Sequence, residues 1–157
     1  MIILENSVFY DVPKTGCSWV AEGLVLHAGG HFEDGSSHKP PEEGDPDLFS
    51  FCFIRHPVDW YRSLYTSQID AGKNEHANFS TFIRTVYFDG YEMFDRKWST
   101  LEDYLAPFLT CDFVGKTESL KNDLAKAMKL AGENYPLDAL LDRDWETSRI
   151  RQSTQSL

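Results

Sequence analysis

Val12-Pro-Lys-Thr-Gly-Cys-Ser-Trp19 follows the short apolar run Ser7–Tyr10, and the reading of this stretch decides the fold. The run predicts a strand, Pro13 and Gly16 predict a sharp turn, and residues 18–26 predict the helix that leaves it, with Trp19, Leu24 and Leu26 supplying apolar contacts. In such a strand–loop–helix unit the backbone N–H groups of Thr15, Gly16, Cys17 and Ser18 can converge on one anion. A helix opened by Ser18 would add its positive dipole end, and Lys14 adds a full charge. The loop is not of the nucleoside-triphosphatase kind, Gly-x-x-x-x-Gly-Lys-[Ser/Thr], because its lysine precedes its only glycine. A different phosphate ester is implied.

A second stretch points the same way. Residues 48–54 form a nearly unbroken apolar, aromatic and β-branched run, as expected of a strand buried on both faces of a parallel sheet. Arg55 ends it. Pro57 holds His56 extended and suits a first helical position, and Asp59 falls in the first turn, where the helix dipole favours negative charge. A magnesium-dependent kinase usually places an aspartate at this strand end to help hold the metal. A cation there repels magnesium and suits a phosphate monoester, which arginine grips with two parallel hydrogen bonds.

The two stretches together resemble the sulfotransferases that use 3′-phosphoadenosine 5′-phosphosulfate (PAPS). Pro-Lys-Thr-Gly-x-Ser-Trp resembles their 5′-phosphosulfate loop, and Arg55, Pro57, Asp59 and Ser63 match the Arg-x-Pro-x-Asp-x-x-x-Ser pattern whose Arg and Ser hold the cofactor's 3′-phosphate. Asp112-Phe-Val-Gly-Lys-Thr-Glu-Ser-Leu120 is similar to a Phe-Val-Gly-x-x-Glu-x-Leu strand and helix of that family. It is taken as architecture, with Leu120, Leu124, Ala127 and Met128 on one helical face and Gly132 as the stop. The resemblance implies a single domain over residues 1–157, a three-layer α/β sandwich around a small parallel sheet, of the P-loop nucleotide-kinase-like sulfotransferase fold. It implies PAPS as cofactor, held by Lys14, Thr15, Gly16, Cys17, Ser18, Trp19, Arg55 and Ser63, and no metal. Trp19 would stack on adenine as the matching family residue does, or else serve the core.

The interval 29–46 is rich in turn formers and predicts an exposed loop with at most one short strand. In phenol- and hydroxysteroid-type sulfotransferases a Thr-His-x-Pro string occupies this interval and its histidine removes the acceptor's proton; Ser37-His38-Lys39-Pro40 resembles it. His38 is therefore the expected base beside Lys14 as the other catalytic residue, with His31 and Glu22 as alternatives. Further on, residues 79–87 and 100–109 predict helices capped near Asn78 and Ser99, and 71–78 and 88–98 predict loops. The Arg-Lys-Gly cofactor loop of the animal cytosolic enzymes has no match; Arg149, Arg151 and Ser153 are the basic and polar residues nearest to replacing it.

At 157 residues, with 41% hydrophobic and 14% aromatic content, the chain can bury a core without staples. Cys17, Cys52 and Cys111 are too few and scattered for a disulfide framework or zinc site, which fits a reducing, cytoplasmic setting. No apolar stretch reaches membrane-spanning length and no signal peptide fits before the first motif, so the chain resembles the bacterial, viral or cytosolic sulfotransferases more than anchored Golgi ones. A net charge of -10 argues against nucleic-acid or membrane partners and disfavours a heavily sulfated acceptor. The expected partner is a small-molecule or carbohydrate acceptor with a hydroxyl or amine. A non-catalytic nucleotide-binding module of the same fold is the alternative, and a small-molecule kinase a more distant one.

Overall fold

The computed structural model describes residues 1–143 apart from 34, 36, 74, 75, 94, 95 and 135. β1 (Ile2–Ile3) turns back at once, Leu4 N–H donating to Ser7 O at 2.8 Å, into β2 (Ser7–Tyr10), whose four residues are all buried. α1 (Cys17–His27) leads to the edge strand β3 (His31–Phe32) and, after an exposed loop, to β4 (Phe49–Ile54). α2 (Pro57–Asp70), α3 (Phe79–Asp89), the hairpin β5 (Tyr91–Met93) and β6 (Arg96–Trp98), and α4 (Leu101–Leu105) precede β7 (Phe113–Lys116). α5 (Leu120–Ala131) and α6 (Leu137–Leu141) follow.

The main sheet runs β3-β1-β2-β4-β7. The half formed by β2, β4 and β7 is parallel as expected, β2 against β4 and β4 against β7, with Tyr10 opposite Cys52 and Cys52 opposite Val114. The other half corrects the expectation of a parallel sheet: β1 is antiparallel to β2, and β3 to β1, so the sheet is mixed. The tight Leu4–Ser7 turn is the reason, since a link that short can only reverse direction.

Strand alternation sends side chains to two cores. Val8, Tyr10 and Cys52 face Trp60, Leu64, Phe82, Val86, Trp98, Tyr104 and Phe108, while Phe9, Phe51 and Phe53 face Trp19, Val20, Leu24, Leu120, Leu124 and Met128. Helices thus cover both faces, α1, α5 and α6 on one and α2, α3 and α4 on the other. In the first core Trp60 meets Trp98 at 5.5 Å and Tyr104 at 6.0 Å between ring centres, a geometry worth about 0.5–1.5 kcal/mol per pair beyond area burial.

Trp98 explains one miss. Residues 88–98 predict a loop, but Gly90, at φ 75, turns the chain out of α3 into a hairpin that delivers Trp98 to the core. The helix expected over 100–109 stops at Leu105 and resumes as a short 3-10 turn, Phe108–Thr110, because Pro107 cannot supply an interior helical N–H. Its cap is Thr100 and not Ser99: Thr100 and Asp103 bond each other's backbone N–H reciprocally. Asn78 caps α3 as expected, its side chain accepting from Thr81 N–H at 3.0 Å, and Gly132 ends α5 in the left-handed conformation. Among the described residues no helix is long and apolar enough to cross a membrane.

Candidate active site

Because β2, β4 and β7 are parallel and adjacent, their carboxyl ends lie side by side, where open α/β sheets bind ligands. Three sequence stretches distant in the chain meet there. The loop 12–16 leaves β2, Arg55 leaves β4, and Thr117–Ser119 leaves β7 as a 3-10 turn.

The loop is held from every side. Trp60 Nε1–H, buried in α2, donates to Pro13 O at 2.8 Å. Arg55 Nη1 donates to Lys14 O at 3.2 Å. The single Thr117 hydroxyl proton is shared between Thr15 O at 2.9 Å and Ile54 O at 3.0 Å, tying the loop to the end of β4. Within the loop Thr15 Oγ1 donates to Val12 O at 2.7 Å. Glu118 Oε1 accepts from His56 N–H at 2.7 Å, so the turn after β7 also fixes the start of α2.

Lys14 and Gly16 take left-handed conformations, φ 66 and 83, on either side of Thr15. Such turns bring successive N–H groups toward one side, and α1 begins directly afterwards at Cys17, whose first-turn N–H groups have no intrahelical acceptor. Trp19 and Val20 N–H already bond back to Gly16 O. Donors for an anion therefore come from the turn and from Cys17 and Ser18. Cys17 contributes through its backbone, since burial pushes its thiol up to about 12.

Lys14 is half-buried. Desolvation lowers its ammonium pKa; Cys17 opposes that next most strongly, the Arg55 charge adds to the lowering, and Asp70 opposes it least. Among the described residues neither Lys14 nor Arg55 has a carboxylate within ion-pairing distance. Two cations so placed make these strand ends locally positive in a strongly acidic protein. A shallow hollow of about 320 Å³, lined by Thr117, Glu118, Ser119, Leu120, Lys121 and Asn122, lies beside this junction.

His38 reaches the same end of the sheet by another route. Asp11, the residue after β2, accepts at Oδ2 from Ser37 Oγ and from His38 N–H, both at 3.1 Å, and His38 Nδ1 lies 2.8 Å from Asp11 O and 3.2 Å from Oδ2. Asp11 Oδ1 lies 3.2 Å from the Met1 ammonium. Among the described residues only Lys14 and His38 are non-glycine residues at positive φ, 66 and 60. Each such conformation costs about 1–3 kcal/mol and persists where surrounding bonds over-determine it, most often at functional sites.

The remaining expected residues fall differently. Ser63 lies half-buried on α2, and among the described residues no hydrogen bond joins it to Arg55 or the loop. Trp19 is a core residue, 1% exposed, with the Arg143 guanidinium 5.2 Å and Lys121 Nζ 5.9 Å from its ring centre, so no open face is offered to a base. Glu22 pairs with Arg143 Nη2 at 2.6 Å on the α1–α6 side, and His31 sits exposed on β3 opposite Ile3, two strands from β2; neither stands with the loop. Arg149, Arg151 and Ser153 lie outside the described residues. Trp60, Thr117 and Glu118 carry no site signal of their own in the sequence, although each stands inside a stretch that does.

Comparison of the chain with protein-family models, curated proteins and solved structures finds no match.

Proposed function

We propose that this chain is a PAPS-dependent sulfotransferase of the P-loop nucleotide-kinase-like kind, moving a sulfuryl group to a hydroxyl or amine of a small-molecule or carbohydrate acceptor. The observation that carries this reading is the junction of Lys14 with Arg55. Two cations with no carboxylate at ion-pairing distance among the described residues stand at adjacent parallel strand ends, bonded to each other through the Lys14 carbonyl. The sequence patterns around them are those that resemble the family's 5′- and 3′-phosphate sites. A donor with phosphates at both ends of its ribose suits two separate anion sites.

In the reaction the acceptor oxygen or nitrogen attacks sulfur in line, forming the new bond to sulfur as the bond between sulfur and the bridging phosphate oxygen breaks. The electron pair of the broken bond stays on the phosphate of the leaving 3′-phosphoadenosine 5′-phosphate. Lys14 and the loop N–H groups stabilise that growing charge, and His38 takes the acceptor's proton. The nitrogen that takes it is Nε2, because Nδ1 faces two oxygen acceptors and carries the ring proton.

Single-turnover incubation with sulfur-labelled PAPS and a mixed pool of phenols, sugars and amines tests the reading. Labelled acceptor and stoichiometric 3′-phosphoadenosine 5′-phosphate are expected. Tight binding of that nucleotide with no transfer to any acceptor would make the chain a binding module, and preference for ATP with magnesium would make it a kinase.

A further inference from the structure

Asp11 lies outside the motif residues that resemble a cofactor site, yet it is the hinge between the two parts of the candidate site. Its side chain is 7% exposed, and it precedes the phosphate loop without a gap. Four contacts bind it to the Ser37–His38 segment: two N–H or O–H bonds into Oδ2, and the approaches of His38 Nδ1 to Asp11 O and to Oδ2. His38 itself is in a left-handed conformation that an unrestrained histidine rarely adopts.

We infer that Asp11 is a positioning residue that fixes His38 in its Nδ1–H tautomer, so that the basic Nε2 serves as proton acceptor at the phosphate loop. This rests on the sulfotransferase reading for its chemistry, and on Asp11 and His38 alone for its geometry. As the acceptor's O–H or N–H bond breaks, the proton goes to Nε2, and the imidazolium that forms has its Nδ1–H 3.2 Å from the Asp11 carboxylate. An anion so placed holds the ring and offsets the new positive charge, as a buried aspartate does behind the histidine of a serine hydrolase. Among the described residues the Met1 ammonium lies on Oδ1 and the Ser37 hydroxyl on Oδ2, and the buried Cys17 thiol and Tyr104 hydroxyl stand near enough to feel the Asp11 charge.

Ring ¹⁵N shifts of His38 and single-turnover rates, measured on the whole chain, test the inference together. The wild type is expected to show Nδ1–H with Nε2 unprotonated. Asp11→Ala is expected to release the segment, moving His38 to the Nε2–H-rich mixture of a solvated histidine, and to slow transfer by at least about tenfold. Binding of 3′-phosphoadenosine 5′-phosphate is expected to stay within a few fold. The double variant Asp11→Ala, His38→Ala should be no slower than His38→Ala alone, because the two residues act as one unit. Should Asp11→Ala fail to fold, Asp11→Asn serves: its side-chain oxygen still accepts from His38 N–H and holds the segment, so that Nδ1–H stays on the Asp11 backbone carbonyl and the tautomer stays, while the rate falls for want of the carboxylate charge. An unchanged tautomer in Asp11→Ala, rate losses that multiply in the double variant, or full activity in Asp11→Asn overturns the inference. A wild type that transfers nothing overturns the sulfotransferase reading, and the ring shifts still decide whether Asp11 sets the tautomer.

Discussion

The loop 12–16 and the segment around His38 flank the same strand end, and they are held in opposite ways. The first is bonded from α2 through Trp60, from the end of β4 through Arg55 and from the turn after β7 through Thr117. The second is bonded to Asp11, within a stretch of mostly exposed residues from 31 to 47. The loop is thus bonded into the sheet ends and α2, while the longer stretch meets the sheet through Asp11, through the Tyr10 hydroxyl donating to Asp45 Oδ2 and through Glu33 N–H donating to Met1 O. On the proposed sulfotransferase reading, a firmly bonded loop beside a more exposed stretch suits one constant ligand and one that must enter and leave.

The sharpest break between the two regions is chemical. Lys14→Ala is expected to lower turnover about a hundredfold to a thousandfold while weakening nucleotide binding far less, since charge builds on the leaving phosphate only in the transition state. Single-turnover rates set beside calorimetric binding of 3′-phosphoadenosine 5′-phosphate read the two losses separately. Equal losses would reduce Lys14 to a tether.

The next difference is in stability. Thr117→Val removes the proton shared by Thr15 O and Ile54 O, and is expected to cost about 1 kcal/mol, or about 2–4 °C in melting temperature for a chain of this size. Ser37→Ala, which removes one bond from the exposed segment, is expected to stay within about 0.5 kcal/mol. Equal shifts for the two would erase the contrast.

The smallest effect is a pH dependence at the same junction. Desolvation raises the Glu118 carboxyl, but the His56 N–H, its own N–H and the Arg55 and His56 charges outweigh it and hold the pKa below its ordinary 4.5. A carboxyl depressed in the folded state contributes stability that is complete above its unfolded value and is lost as pH falls through the folded one. Thermal melts of wild type and Glu118→Gln are therefore expected to differ at pH 7 and to converge in acid. A difference that grows in acid would reverse the assigned sign.

What the sequence disclosed follows the same division. Ser7–Tyr10 and the run ending at Ile54 are parallel core strands whose burial on both faces leaves a continuous apolar signal, and Pro57, Asn78 and Gly132 mark helix ends by local chemistry. Arg55 stands directly after β4 as the apolar run predicts, while Lys14 lies four residues beyond the end of β2, in the loop that Pro13 and Gly16 mark. β1 and β3, two residues each, carry no periodicity, and β5 and β6, three residues each, alternate Tyr91, Met93 and Trp98 with charged residues over too short a span to signal strands. Thr117 and Trp60 act through loop carbonyls that only the folded register brings within reach, so their roles had no sequence signal beyond their stretches. Glu22 looked close to the cleft by position along α1, and helix phase turns it instead toward Arg143.

The central claim is that Lys14 and Arg55 form two separate phosphate sites on one ligand. Its most direct test is thermal stabilisation of the wild type and of Arg55→Ala by 3′-phosphoadenosine 5′-phosphate and by AMP. For the wild type the bisphosphate at a hundredfold excess over its dissociation constant should add about 2.7 kcal/mol, and AMP at the same concentration far less. In Arg55→Ala the advantage of the bisphosphate over AMP should vanish. Equal stabilisation of the wild type by both nucleotides, or a preference that survives Arg55→Ala, would contradict the account.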